Sequence, residues 1–152
     1  MYQYQDKTAK IFDNENNKFI ELHHKTEFDK NIYQFISSQK LTGSHFIIDN
    51  ITVEKIGENK YLIKCFRSFE NIKQVIKITV KLKPWDKDLI RFYYSDLGGD
   101  VDKRLISSLK EKLNGNYHYI IESHTIDYKN GFKMTNSIKE IEKIKLQIAL
   151  QN

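Results

Sequence analysis

IKQVIKITVKLK, residues 72–83, is the stretch on which the fold turns. Ile76, Ile78, Val80 and Leu82 recur at every second position, and Lys77, Thr79, Lys81 and Lys83 fill the gaps. Successive side chains of a β-strand point to opposite faces, so this spacing predicts a strand with one apolar and one cationic face. Pro84 has no N–H to give to a ladder and ends it. A strand of this kind belongs in an antiparallel sheet that buries one side and wets the other.

Three neighbouring runs read as its partners: HFIIDNITVEKI (45–56), KYLIKCFRSF (60–69) and LIRFYY (89–94). Gly57-Glu58-Asn59 and Glu70-Asn71 are short turns between them, which predicts an antiparallel meander of about four central strands. Nearer the N-terminus, AKIFD (9–13) and KFIELH (18–23) flank a polar run and read as a hairpin. Thr26 can then cap a helix near 27–40, in which Phe28, Ile32, Phe35 and Ile36 form an apolar stripe. Asp100 is a natural cap for a second helix over 101–114, with Val101, Leu105, Leu109 and Leu113 on its buried side and Asn114-Gly115 as its stop. YHYIIESHTIDY (117–128) follows as a strand, and Asn130-Gly131 is a hairpin-turn signal. Ser137 with Glu140 makes a capping box for a third helix near 137–150. The expectation is α+β, a single domain over 1–152, largely antiparallel sheet with the three helices packed on one face.

A chain of 152 residues with 39% hydrophobic residues can bury a core without staples. Cys65 is the only cysteine, which excludes an intramolecular disulfide framework and fits a reducing compartment. The N-terminal residues contain no apolar run of signal-peptide length, and no stretch approaches the ~20 apolar residues of a membrane span. These features predict a cytoplasmic protein that does not enter membranes.

The net charge is +5, and its location says more than its size. Between Lys60 and Lys83 stand seven cations (Lys60, Lys64, Arg67, Lys73, Lys77, Lys81 and Lys83) against one acid, Glu70. That local excess is larger than the charge of the whole chain. Lysine-rich composition over an Asn- and Ile-rich background suits an AT-rich genome, but composition alone spreads lysine evenly. A local excess reads as a basic surface.

YHYIIESHTIDY raises a rival reading. As a regular strand it puts His118, Ile120, Glu122, His124 and Ile126 on one face. Glu122 and His124, about 6.6 Å apart along a strand, could share an ion, whereas His118 and His124 are roughly 20 Å apart. A catalytic zinc needs three protein ligands, leaving His23 or His24 as donors of the third. No HExxH or other spaced metal motif supports the set, and the plainer reading is the wet face of a strand. Cys65 reads as a buried small hydrophobe with no base beside it. DLGGD (96–100) lacks the Lys-Ser/Thr of a phosphate loop and reads as a turn and a cap.

The segment ITVEKIGENKYLIKCFRS (51–68) resembles the central hairpin of the PD-(D/E)xK nucleases, and the expected order helix, three strands, helix, strand is similar to their core. The resemblance covers about a third of the chain and implies two carboxylates and a lysine converging on Mg²⁺. The matching positions are Lys64, Cys65 and Phe66, which include no acid. The chain departs from the family where its chemistry resides.

The sequence therefore points to a non-enzymatic binding module without a cofactor. Its basic, aromatic-containing sheet face (60–93) would carry Lys64, Phe66, Lys73, Lys77, Lys81, Lys83, Arg91 and Tyr93, and would engage an acidic partner. Lysines interleaved with aromatics suit a phosphate backbone and stacked bases, so nucleic acid leads. An inhibitor- or immunity-type module that covers an acidic protein surface is the alternative. A metal-dependent hydrolase on Glu122 and His124 comes third.

Overall fold

A computed structural model describes residues 7–13, 16, 18–28, 30–40, 46–68, 73–93 and 95–141. Among these the chain is mainly β, with eight strands in two antiparallel sheets and one helix. It divides into two compact units, one made of 1–42 with 142–152, the other of 43–141.

In the first unit, β1 (Lys7–Asp13), β2 (Lys18–Glu27) and β3 (Lys30–Lys40) form a sheet in that order. The β1–β2 hairpin is the one the sequence predicts, with Ala9 opposite Leu22 and Ile11 opposite Ile20. Asp13 accepts hydrogen bonds at its end from the Asn16 backbone N–H (3.1 Å) and side-chain amide (2.8 Å). The helix expected near 27–40 is a strand instead. Glu27 pairs with Lys30 around a tight turn at Phe28, which has φ 47° and is 98% exposed. Ile32, Tyr33, Phe35 and Ile36 are β-branched or aromatic, and residues 31–39 contain no Ala, Leu or Glu. Such a composition favours a pleated surface over a helix. A bulge opposite Glu21 and Leu22 leaves Ile36 outside the pairing, so Phe35 and Ile36 can be adjacent without breaking the sheet. With that helix gone, the element order shared with the PD-(D/E)xK core is gone too.

The second unit is a meander, β4 (Asn50–Gly57), β5 (Lys60–Phe66), β6 (Gln74–Pro84), β7 (Tyr119–Asp127) and β8 (Lys133–Ser137), each strand antiparallel to the next. β6 is central. Its Ile76, Ile78, Val80 and Leu82 are buried and meet Cys65, Ile63 and Tyr61 of β5 on one side and Ile126 and His124 of β7 on the other. The turn residues Asn59, Lys129 and Gly131 have positive φ, as hairpin turns with right-handed strands require.

The expected fourth strand at 89–94 does not form over its described residues, 89–93. Leu89 makes a single parallel bridge to Ile120, and its N–H donates to the Tyr119 carbonyl at 2.9 Å. β7 occupies the place beside β6 instead. Residues 90–93 and 95–97 run over the apolar side of the sheet, where Ile90 and Leu97 are buried and Phe92 packs on the core. Asp88 fixes the start of this crossing by accepting from the Ile90 N–H at 3.2 Å.

The helix α1 (Gly99–Glu111) begins two residues before the expected 101. Gly98 is the cap residue, at φ 90° and ψ 149°, a backbone that disfavours any side chain, while Asp100 and Asp102 lie in the first turn. Val101, Leu105, Leu109 and Leu113 join the core, and Asn114 and Gly115 take positive φ just past the helix. Arg104 ties α1 to the chain before β4 by donating to the Ile48 and Asp49 carbonyls. No helix opens at 137: Ser137 is the last residue of β8, opposite Ser123, and 138–141 carry no regular structure. The remainder of the expected third helix, 142–150, lies outside the described residues. No helix is long and apolar enough to cross a membrane among the described residues.

Leu109 is fully buried at the centre of the stripe. Leu109→Ala should cost roughly 2–5 kcal/mol, read from the denaturant midpoint at constant slope. An unchanged midpoint would mean that α1 does not pack on this sheet.

Candidate functional site

The pleat of the second sheet sorts the basic residues. Registers place Lys60 opposite Lys81 and Lys64 opposite Lys77, and between these two rows Leu62, Thr79, Thr125 and Thr135 stand side by side across four strands. All lie on the side away from α1, because their neighbours Tyr61, Ile63, Ile78 and Val80 belong to the core. Lys83 extends the β6 row, and Phe66 lies at the other end of the same face, opposite Asn50 and Gln74. Of the eight residues read from the sequence, five therefore share one face: Lys64, Phe66, Lys77, Lys81 and Lys83. Lys60 joins them.

The other three do not share it in register. Lys73 is exposed just before β6. Arg91 and Tyr93 depended on a strand at 89–94 and lie instead in the crossing on the core side. Arg91 Nη1 donates to the Ile90 carbonyl at 2.7 Å, and burial raises the Tyr93 phenol above its ordinary range.

Each facing lysine pair is half neutralised. Lys64 Nζ lies 2.7 Å from Glu54, and Lys81 Nζ lies 2.6 Å from Glu122. Asp127, opposite Lys77, is engaged by Lys129 at 3.5 Å and Lys133 at 3.6 Å. The Lys129 N–H donates to this carboxylate, and with the two ammonium groups it holds Asp127 below the usual carboxylate range. Among the described residues, Lys60, Lys77 and Lys83 have no acid within ion-pair distance.

The metal reading of YHYIIESHTIDY fails on register. Lys81 pairs with Ser123 and Leu82 with Ile121, so Glu122 is a bulge residue. The bulge reverses the alternation there. Glu122 turns to the lysine side, and His124, opposite Val80, turns to the core. His124 is 3% exposed, with its ring edge-on to Phe92 at 5.3 Å and Nε2 3.3 Å from the Asn136 amide. His118 is exposed ahead of β7, outside the strand. His23 and His24 lie on β2 of the other unit, where His24 stacks on Tyr33 at 4.8 Å. No three potential metal ligands converge among the described residues.

Cys65 is fully buried, and burial pushes its thiol up to about 12, so it is no nucleophile at neutral pH. A polar cluster the sequence did not signal lies at the start of α1. Ser95 Oγ donates to Asp102 at 2.8 Å and accepts from the Leu97 N–H at 3.1 Å, while Tyr128 donates to Asp96. Burial pushes the Asp102 carboxyl up to about 6. These contacts brace the crossing segment against α1 and β7.

No protein-family model, curated protein or solved structure matches the chain, so function rests on this geometry.

The buried histidine has a measurable consequence. Burial disfavours the His124 imidazolium, so the folded chain takes up that proton only below the ordinary 6.5 of the unfolded chain. Stability from this group is complete above pH 6.5 and is lost as pH falls through it. Asp102 acts in the opposite sense, because its raised carboxyl adds stability as pH falls from about 6 toward 3.8. The stability advantage of the wild type over His124→Gln should shrink between about pH 7.5 and 5.5 in denaturant titrations. Parallel curves would show that His124 is not buried as a neutral ring.

Proposed function

We propose that the lysine-bearing face of the second sheet binds a nucleic-acid backbone without strong sequence preference, and that the protein is a binding module rather than an enzyme. Lys60, Lys64, Lys77, Lys81 and Lys83 would contact phosphates, with Phe66 as an aromatic flank and Lys73 at the margin. The reading supposes a cytoplasmic setting, in which the lone Cys65 stays a thiol.

The observation that carries it is the pair of facing lysines. Like charges directly opposite on a sheet destabilise it, and Lys60–Lys81 and Lys64–Lys77 do so in adjacent strands. One member of each pair has a carboxylate and the other has none among the described residues. An anion laid across the face would relieve both repulsions at once. Solubility alone does not require lysines to oppose each other on central strands, where there is no edge to protect.

A second reading is a module that covers an acidic protein surface. Leu62 and Phe66 favour it, because they add apolar contact area between the cations.

The two consequences of removing the charge separate cleanly. Lys60→Glu places an acid opposite Lys81, with Gly57 as its neighbour on β4, and should stabilise the fold by roughly 0.2–1 kcal/mol. The triple change of Lys60, Lys77 and Lys83 to Glu should weaken binding of a labelled single-stranded oligonucleotide by at least ~10-fold. Lys103→Glu with Lys112→Glu, on the opposite side of the sheet, should change it less than about 3-fold. Equal losses from both sets would reduce the effect to diffuse charge. Wild-type protein that ignores the oligonucleotide but binds an acidic protein would favour the second reading.

A further inference from the structure

The lysine face does not end at Lys83. Past Pro84 the chain leaves the sheet, and the Trp85 N–H donates to the His118 carbonyl at 2.9 Å. Opposite Lys83 stands Ile120. Ile120 is 3% exposed, yet it is not among the residues of the hydrophobic core. It is buried from the other side of the sheet. Trp85 and the segment after β8 border the same pocket as Ile120, and the Ile138 N–H donates to the Glu122 carbonyl at 2.9 Å. The pocket is open, about 200 Å³ in volume, and lined among the described residues by Lys83, Trp85, Ile120, Glu122, Ile138, Lys139 and Ile141.

The lining selects a class of ligand. Ile138 and Ile141 give the pocket apolar edges, Trp85 supplies a half-buried indole, and the exposed Lys83 and Lys139 bring two ammonium groups to a lining that is mostly polar. Glu122, the one carboxylate among the described lining residues, is already paired with Lys81. A flat ring with anionic groups attached matches that arrangement. The volume is below the ~300–1,000 Å³ of sites for drug-sized ligands, so it suits one ring system and no more. Lys83 belongs both to the cavity and to the basic face, so a strand whose phosphates run along that face can deliver one of its rings here.

We infer that the cavity is a base-stacking subsite that takes one nucleobase of a single strand against Trp85, with Lys83 and Lys139 on the adjoining phosphates. The inference rests on the nucleic-acid reading of the basic face and specifies it, because a duplex keeps its bases stacked on each other and has none to offer.

Trp85 is the only tryptophan, so intrinsic fluorescence reports on this position alone. The probes are an oligothymidylate of about eight nucleotides, heparin as a polyanion without bases, and thymidine monophosphate. The oligothymidylate should quench Trp85, and saturating heparin should not. Trp85→Ala should weaken oligothymidylate binding roughly 5- to 100-fold, measured by anisotropy, and heparin binding less than about 2-fold. Trp85→Phe, which keeps a stacking ring and guards against misfolding of the alanine variant, should restore most of the affinity. Oligothymidylate that binds without quenching, and binds Trp85→Ala as tightly as wild type, would overturn the subsite and leave the basic face standing. No binding of either polymer to wild type would overturn both. Quenching by thymidine monophosphate at the same concentration as the oligomer would overturn the inference in favour of a free-nucleotide site.

Discussion

The strict alternation of β6 is the constraint on which the second unit depends. Every second side chain from Ile76 to Leu82 is buried, and β6 has a partner along both edges, so a one-residue slip would exchange four core residues for lysines and a threonine. Register is therefore fixed from the centre outward. Ile63 and Ile126 must meet Ile78, which sets β5 and β7, and these in turn set β4 and β8. α1 and the crossing at 90–97 close the apolar side with Leu105, Leu109, Ile90 and Leu97. Each such side chain contributes about 1.5–3 kcal/mol on burial.

The same alternation makes the opposite face what it is. Once Tyr61, Ile63 and Cys65 point inward, Lys60, Leu62, Lys64 and Phe66 have no choice but to point outward, against Lys81, Thr79, Lys77 and Gln74. The facing lysines are thus a consequence of register, and the carboxylates of Glu54 and Glu122 moderate them without cancelling them. The bulge at Glu122 serves both sides at once. It sends the carboxylate to Lys81 and lets His124 fill the core beside Phe92. It also marks the point where the outer face changes from an open lysine surface to the cavity beside Trp85.

How much of this could be read in the sequence follows from how strong each local signal was. The β6 pattern, the Asn59, Asn114 and Gly131 turns and the Val101–Leu113 stripe each had one reading, and each is present in the fold. The helix expected near 27–40 follows from apolar spacing alone, which is silent on the β-branched and aromatic residue types that suit a strand. Pairing with β2 decides for the strand. Residues 89–94 alternate like a strand, but β7 is longer, has two apolar neighbours in Ile120 and Ile121, and takes the edge of β6. Bulges leave no pattern in a single sequence, so alternation alone puts Glu122 and His124 on one face. Trp85 carries no sequence signal, because a lone tryptophan after a proline gives no periodicity and its pocket needs Ile138 and Lys139, distant in sequence.

Register concentrates lysines on one face, three of them without an acid partner among the described residues, and the role proposed for that face is to meet phosphate. The most direct test is the salt dependence of single-strand binding. Each phosphate contact releases counterions, and the slope of log K against log salt is about −0.7 per contact on a single strand. With Lys60, Lys77 and Lys83 lacking an acid partner among the described residues, and Lys64 and Lys81 able to exchange partners, the slope should lie between about −2 and −4. A slope near zero, or the same slope in the triple glutamate variant, would contradict the account.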